Sequence, residues 1–385
     1  MNAGQCTVEN ATSPTPATTP ATTAASTASP TASPACRASS APRPLARSLI
    51  RTLPPHSCPW TARQPSHYRR NLLEGRDPSV RVLVTGAAGY LGKAVVAALA
   101  AAGHEPIAMA RPGAGTIPGA ADTRTADLLD PAALRRAVAG VESVCHLAGL
   151  TRARESLTDP LPYFHVNTGG TIALLRAMAE ADVRALVFSS TCAVYGSPEQ
   201  QPMTEETPIA PPHPYASSKV AAEAVVEAQA ATGSLGATIL RLPNLAGGDD
   251  RDPTRLIPRV LAAAMARTPL GINGDGTAVR DYLHVDDAAA AFVAAIDRTP
   301  EPGGFAHYNI GSGRGTTILD VVAAVERETG LRVPVVHKPP APEPSALIVD
   351  PSRAMTDLSW SPKHSDITEI LQTTRFFRVA DLRGR

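Results

Sequence analysis

A strand-like run, Val80 to Thr85, passes directly into Gly86-Ala-Ala-Gly89-Tyr90-Leu91-Gly92 and then into an alanine-rich stretch of helix formers. Strand, glycine turn and helix in immediate succession are the context in which a chain folds around a dinucleotide pyrophosphate. Gly86 suits the tight turn, Gly89 lets backbone N–H groups approach the phosphates, and Gly92 permits close packing of the helix. The backbone N–H groups of Tyr90 and Leu91 then belong to a helix N-terminus, where unpaired donors and the helix dipole favour an anion. The glycine spacing is one residue wider than GxGxxG. A purely structural turn would need one of these glycines rather than three.

From Val80 onward, strand-like and helix-like segments alternate. VRVLVTG is followed by GKAVVAALAAAG, PIAMA, a helix from Pro131 after Asp130, SVCHLAG, a long helix from about Tyr163 to Glu180, ALVFSS, a helix from Tyr215 to Ala231, and ATILRL. This alternation predicts an α/β fold with a doubly wound parallel sheet of six or seven strands. After Leu242 the rhythm loosens into proline-rich turns, a helix near Arg255–Ala266, RDYLHVDDAAAAFVAAI, HYNIG and a helix over Thr317–Thr329. These segments are expected to form a smaller C-terminal α/β substrate lobe. The expected division is 1–79, 80–242 for the cofactor domain, and 243–385 for the lobe, with some segments of the last returning to the sheet.

The first 79 residues are of another kind. Eleven of the 37 prolines fall between Pro14 and Pro65, among Ser, Thr and Ala, with almost no large apolar side chain to bury. A disordered extension is expected. Residues 1–70 hold seven arginines, no lysine and one acid, Glu9, the profile of an organelle import segment, which is a second reading. A third is a start near Val80. There is no apolar core of a secretory signal.

Thirty-six lysines and arginines face 35 acids, for a net charge of +1, so no field draws the chain to nucleic acid. No apolar run reaches the 18 residues that a membrane span needs. Cys6, Cys36, Cys58, Cys145 and Cys192 contain no CxxC pair, which points away from zinc and disulfides and towards a reducing, cytoplasmic setting.

At the end of the second strand the chain reads Ala108-Met109-Ala110-Arg111-Pro112. An acid there would take the ribose hydroxyls of NAD, and a cation tolerates a 2′-phosphate. Arg111 therefore favours NADP(H), with NAD as the alternative, unless it is a solvated loop residue. Asp127, with Leu128 beside it, could meet the adenine or cap a turn.

The strand VFSS ends at Thr191, and Tyr215-Ala-Ser-Ser-Lys219 opens a helix. Four residues apart, Tyr215 and Lys219 lie on one helix face. A phenol near pKa 10 becomes a usable base when a cation stabilises its phenolate. Tyr215 can then exchange a proton with a sugar hydroxyl, Thr191 can bond the same oxygen, and Lys219 can reach the nicotinamide ribose. Cys192 has no histidine spaced to activate it and is read as packing, as is Cys145. His284 is read as bracing its loop.

Taken together, VTGAAGYLG, HLAGLTRARES, NTGGTIALLRAM, VFSSTCAVYG, PYASSK, LRLPN, RDYLHVDD and YNIGSG cover most of Val80–Trp360. Through them the chain resembles the extended short-chain dehydrogenase/reductases that act on nucleotide sugars. The resemblance implies a Rossmann-type fold, a homodimer built on the helices Tyr163–Glu180 and Tyr215–Ala231, and a nucleotide-sugar substrate. It places Asn244 and Arg280 on the diphosphate or sugar, and Asn167 near the cofactor or capping its helix. Cys192 and Ala193 follow Thr191 where the dehydratases carry acids, so dehydration is not expected. Thr151 replaces a lysine of the epimerases, Arg111 their acid, and Lys338 stands near where a further phosphate arginine would fall.

These departures favour an NADP(H)-dependent reductase of a nucleotide-linked 4-keto sugar, such as a dTDP-4-keto-6-deoxyhexose in deoxysugar or antibiotic biosynthesis. The alternatives are a UDP-hexose 4-epimerase with retained NAD and a non-catalytic dinucleotide-binding regulator.

Overall fold

The computed structural model describes residues 79–341 and 344–374. Residues 1–78, which carry the extension, import and late-start expectations, lie outside the described residues, as do 375–385.

The first half alternates as the sequence predicts. Strand β1 (Arg81–Thr85) leads into α1 (Tyr90–Ala101), β2 (Glu105–Ala110) and β3 (Asp122–Thr125). Helix α2 (Pro131–Val138) starts where Asp130 caps it by accepting from the N–H groups of Ala132 and Ala133, with proline at its first position. There follow β4 (Ser143–His146), the short helices α3 (Ala153–Thr158) and α4 (Leu161–Tyr163), α5 (Gly170–Glu180), β5 (Ala185–Thr191), α6 (Pro214–Ala231) and β6 (Gly236–Leu242). The helix expected from Tyr163 to Glu180 is not uniform. Phe164–Gly169 is a π-helical turn, whose extra residue per turn redirects side chains relative to a regular helix.

The second half supplies β7 (Asn244–Ala246), α7 (Leu256–Ala266), β8 (Leu270–Asn273), β9 (Val279–His284) and α8 (Val285–Asp297). It continues through β10 (Phe305–Asn309), β11 (Gly315–Thr317), α9 (Ile318–Thr329), β12 (Val335–Lys338), β13 (Ala346–Leu347), α10 (Ser352–Asp357) and α11 (Ile367–Thr373). Helix α9 is stopped at both ends. Thr317 and Asp320 form a reciprocal capping box, and Gly330 ends the helix in the left-handed region at φ +70°.

Seven parallel strands make one sheet in the order β10-β6-β5-β4-β1-β2-β3. On one face Val95, Val96 and Leu99 of α1 pack with Phe292, Ala295 and Ile296 of α8. On the other, Leu134 of α2, Leu174 and Met178 of α5 and Val226 of α6 close the core. This is the Rossmann-type doubly wound fold that the alternation predicts. Both α8 and β10 come from beyond residue 243 and return to it. The remaining segments gather around Leu261, Leu270, Val321 and Ile370 in a separate cluster, with β7, β9, β11 and β13 forming a small mixed sheet. In the large sheet the strand order reverses between β1 and β4, so a crevice opens above their C-terminal ends.

Candidate active site

The glycine turn sits over that crevice. Thr85, at the end of β1, accepts from the N–H groups of Leu147 and Ala148, both at 3.1 Å, and bonds His146 Nδ1 at 2.8 Å, which ties β1 to β4. Burial, with the charge of Lys219 acting in the same direction, pushes His146 down to about 3, so the imidazole is neutral here. Gly86 has φ +68°, and a Cβ on it would lie 2.9 Å from Ala148 N. A Cβ on Gly92 would lie 2.2 Å from Gly86 O, so only glycine lets α1 start this close to the turn. No side chain caps the N-terminus of α1. The turn is thus shaped to receive the oxygens of a dinucleotide pyrophosphate, and the residues present fit that group.

A cavity of about 1620 Å³ runs from this turn, past Arg111, Asp127 and Leu128 on one side, to Thr191, Tyr215 and Asn244 on the other. Single-ligand pockets occupy roughly 300–1,000 Å³. The cavity therefore has room for a dinucleotide and a second ligand together. Arg111 is exposed at its rim, one residue after β2. Asp127 Oδ1 accepts from Leu129 N at 2.9 Å and so braces its own turn while lining the cavity. Leu128 is buried against the position of Gly170.

Thr191 and Tyr215 stand together on the cavity wall. Burial raises the Tyr215 phenol to about 12, and the neighbouring Thr191 hydroxyl works in the opposite direction. Tyr215 is held on three sides. Its N–H donates to Ser156 Oγ at 3.1 Å, the His213 ring stacks on it at 5.8 Å, and the Tyr163 ring meets it edge-on at 6.4 Å. Lys219 lies one turn further along α6, buried, with Nζ donating to Ser189 O at 2.8 Å and 4.6 Å above the Phe188 ring. Burial pulls this ammonium down to about 8, and nearby Glu223 opposes the shift. Glu223 in turn bonds Ser190, and both its oxygens accept from Arg241, at 2.6 and 3.2 Å.

Asn167 is buried behind the wall rather than on it. Its amide accepts from Leu150 N at 2.7 Å and donates to Leu150 O and to Ser218 Oγ, so it pins the loop after β4 to α6. The π-helical turn puts it there, in place of the helix cap considered from sequence. Asn244 lines the cavity, but Arg280 does not. Arg280 Nη1 donates to Val279 O and Pro344 O, and the neighbouring wall is made by Tyr282 and Leu347. Lys338 sits at a separate shallow recess with Asp275 and His337.

Three participants escaped the sequence reading. His213 caps α6 by accepting from Ala216 N at 3.1 Å, although histidine is not a favoured cap and gives no local signal. Tyr90 contributes more than its backbone: its hydroxyl donates to Gly247 O at 2.6 Å, joining the cofactor turn to the loop after β7. Arg255 comes up beneath that ring, its guanidinium 4.8 Å from the centroid.

Residues 82–311 match the NAD dependent epimerase/dehydratase family. A UDP-glucose 4-epimerase of Streptomyces lividans is 37% identical over 310 residues, covering 75% of this chain and 93% of the relative. Proteins of Azospirillum brasilense and Lacticaseibacillus casei, each 36% identical, carry the same name. Among solved structures, the UDP-glucose 4-epimerase from Brucella ovis in complex with NAD is similar at TM-score 0.72 and 34% identity, over 77% of this chain and 97% of that one. MoeE5 in complex with UDP-glucuronic acid and NAD is similar at TM-score 0.70 and 30% identity, over 79% of this chain and 99% of that one.

These findings overturn the expectation of a 4-ketoreductase. The relatives are consistently named 4-epimerases, and none supports a regulator. The neighbours described with a dinucleotide hold NAD, so the NADP(H) preference read from Arg111 gains no support. The physical reason is plain from the geometry. Arg111 lies at the rim and Lys338 outside the cavity, whereas the groups expected to react, Thr191, Tyr215 and Lys219, would serve a reductase and an epimerase alike.

Proposed function

The chain belongs to the NAD dependent epimerase/dehydratase family, and from this we propose that it is a nucleotide-sugar 4-epimerase acting on UDP-hexoses with a retained NAD. The observation that carries the reading is that Thr191 and Tyr215 line the same cavity as the glycine turn.

The cofactor groups are Gly86, Gly89, Tyr90, Leu91 and Gly92 at the pyrophosphate, and Arg111, Asp127 and Leu128 at the adenosine end. Asn167 positions the loop between them, and Lys219 stands at the nicotinamide ribose. A bound NAD supplies reversible hydride acceptance. Tyr215 removes the proton from the C4 hydroxyl as hydride leaves C4, giving a 4-keto sugar. Thr191 holds the same oxygen in place. A positive charge on Lys219, one turn along the same helix, would favour the phenolate that this step requires. Once the keto sugar has turned within the cavity, Tyr215 gives the proton back to the same oxygen, where a bound NAD would supply the hydride for the other face. Asn244 faces the substrate from β7.

Two further assignments belong to this reading. A second copy of the chain docks on the face where Leu157, Leu161 and Phe164 are exposed, ahead of α5. A reducing, cytoplasmic setting agrees with the free, buried Cys145 and Cys192. No helix among the described residues is long and apolar enough to cross a membrane.

The test begins with purified protein. Denaturation should release one NAD per chain, and the native protein should equilibrate UDP-galactose with UDP-glucose, followed by chromatography of the nucleotide sugars. NAD-loaded protein that leaves both sugars unchanged overturns the activity.

A further inference from the structure

Thr191 and Tyr215 have to present their hydroxyls to one substrate oxygen, although the first ends a strand and the second opens a helix. The Thr191 side chain is tied to the backbone that follows it. Its Oγ accepts from Ala193 N at 3.2 Å and so caps the 3₁₀ turn Cys192–Tyr195. A shift of that turn swings the hydroxyl off the reacting oxygen.

Both flanks of Thr191 are anchored on one buried ion pair. On the strand side, Ser190 Oγ donates to Glu223 Oε1. On the turn side, the Tyr195 hydroxyl accepts from Arg241 Nη1 at 2.9 Å and donates to Asn309 Oδ1 at 2.7 Å. Burial raises the Tyr195 phenol to about 12, so it keeps the proton that it donates. Arg241 joins the two flanks. Its Nε and Nη2 donate to Glu223 at 3.2 and 2.6 Å, and it stands opposite Ser190 in the register of β5 and β6. Glu223 follows Lys219 by four residues, as Lys219 follows Tyr215, which puts all three on one face of α6. The pair therefore bolts the strand that ends in Thr191 to the helix face that carries Tyr215. Glu223, Arg241, Tyr195 and Asn309 lie behind the cavity wall, outside its lining. A buried ion pair contributes little net stability compared with apolar side chains of the same volume, whereas a fully bonded buried network holds one fixed arrangement.

We propose that Ser190 and Tyr195 are positioning residues, through which the Glu223–Arg241 pair clamps both flanks of Thr191 and aims its hydroxyl at the reacting oxygen of the nucleotide sugar. The proposal rests on the 4-epimerase reading and adds to it the device that keeps the two hydroxyl-bearing elements, β5 and α6, in register.

The experiment is a double-mutant cycle on NAD-loaded protein: wild type, Tyr195→Phe, Thr191→Val and the two together, with UDP-galactose as substrate and with NAD content and Tm as checks on folding. Tyr195→Phe keeps the buried ring and removes the hydroxyl. Its kcat should fall by about 10-fold while KM stays within about twofold of wild type. In the Thr191→Val background the same change should cost less than about twofold, because the group it positions is gone. Amide hydrogen exchange reads the clamp without turnover, and should quicken across 192–196 in Tyr195→Phe with 185–189 unchanged. Wild-type kcat in Tyr195→Phe, an equal loss in both backgrounds, or unchanged exchange at 192–196 overturns the proposal and leaves the epimerase reading standing. Should Tyr195→Phe lose NAD or stability, Ser190→Ala, which frees the other flank, takes its place in the cycle with the same outcomes. Wild-type NAD-loaded protein that converts neither UDP-galactose nor UDP-glucose overturns that reading itself, and the proposal with it.

Discussion

Thr191 and Tyr215 come from different elements, the last residue of β5 and the second residue of α6, and meet on one cavity wall, where a substrate proton would be exchanged. Tyr215→Phe removes the proton carrier and keeps the ring against His213 and Tyr163. Turnover should fall by about 10²–10⁴-fold with NAD still bound. Thr191→Val should cost less, about 10–100-fold, since it removes one contact to the same oxygen. Initial rates together with NAD content check both. Near-normal turnover in Tyr215→Phe removes that residue from its role.

Lys219 sets a pH limit. Its ammonium is pulled from 10.5 to about 8 in the folded chain, so its charge is lost as pH rises through about 8. Epimerisation should therefore decline on the alkaline side with a midpoint near that value. Stability moves the other way. Between about 8 and 10.5 the unfolded chain binds the extra proton, so this group's contribution to stability increases with pH across that window. A rate profile flat from pH 7 to 9.5 contradicts this role for the ammonium.

Arg111→Asp places a carboxylate where ribose hydroxyls would be taken. Loss of NAD from the protein should slow by about tenfold, and NADP should bind more weakly because its 2′-phosphate is repelled. Fluorescence of the reduced cofactors during exchange reads both rates. Equal rates in wild type and variant would make Arg111 a solvated surface residue.

Gly92→Ala forces a methyl group into space already held by Gly86 O. The backbone must yield, at a cost of about 1–3 kcal/mol, and the pyrophosphate turn moves with it. Calorimetric unfolding should show a lower Tm, and the protein should purify without NAD. A stable variant with full NAD content refutes the close-packing account.

Glu223→Gln breaks a buried ion pair, because Glu223 and Arg241 have side chains only 9% and 8% exposed. The uncompensated guanidinium should destabilise the fold by about 3–5 kcal/mol, measured by denaturant titration. Loss of the carboxylate also removes the group that supports the charge on Lys219. The alkaline limb of the rate profile should therefore move to lower pH.

Local pattern revealed much of this architecture. Periodicity and glycine placement identified the strands through β6 except the short β3, the cofactor turn, and the shared helix face of Tyr215 and Lys219, because each depends on residues close in sequence. What stayed hidden depends on distant ones. Asn167 serves α6 through a π-helical turn that no local spacing announces. His213 and Tyr163 enclose Tyr215 only because α4 and the start of α6 converge. Arg280 follows its strand as expected, yet its side chain turns to Pro344 O, 64 residues away. The preference for a reductase over an epimerase rests on Arg111 at the rim, Thr151 in the lining and Lys338 outside the cavity, none of which distinguishes two reactions that use the same reacting groups.

Strand β10 is the outermost member of the large sheet and pairs with β6 across more than 60 residues of intervening chain. A ribosome releasing β6 has therefore finished six of the seven strands, with one edge still open. A product cut short before Phe305 would present the N–H and C=O groups of the fully buried-type strand Gly236–Leu242 to any passing strand, which invites aggregation. A nonsense mutation late in the reading frame should thus be as damaging as an early one. The two halves of this protein cannot be expressed separately by cutting at the boundary near residue 242 without grafting Phe305–Asn309 back onto the first.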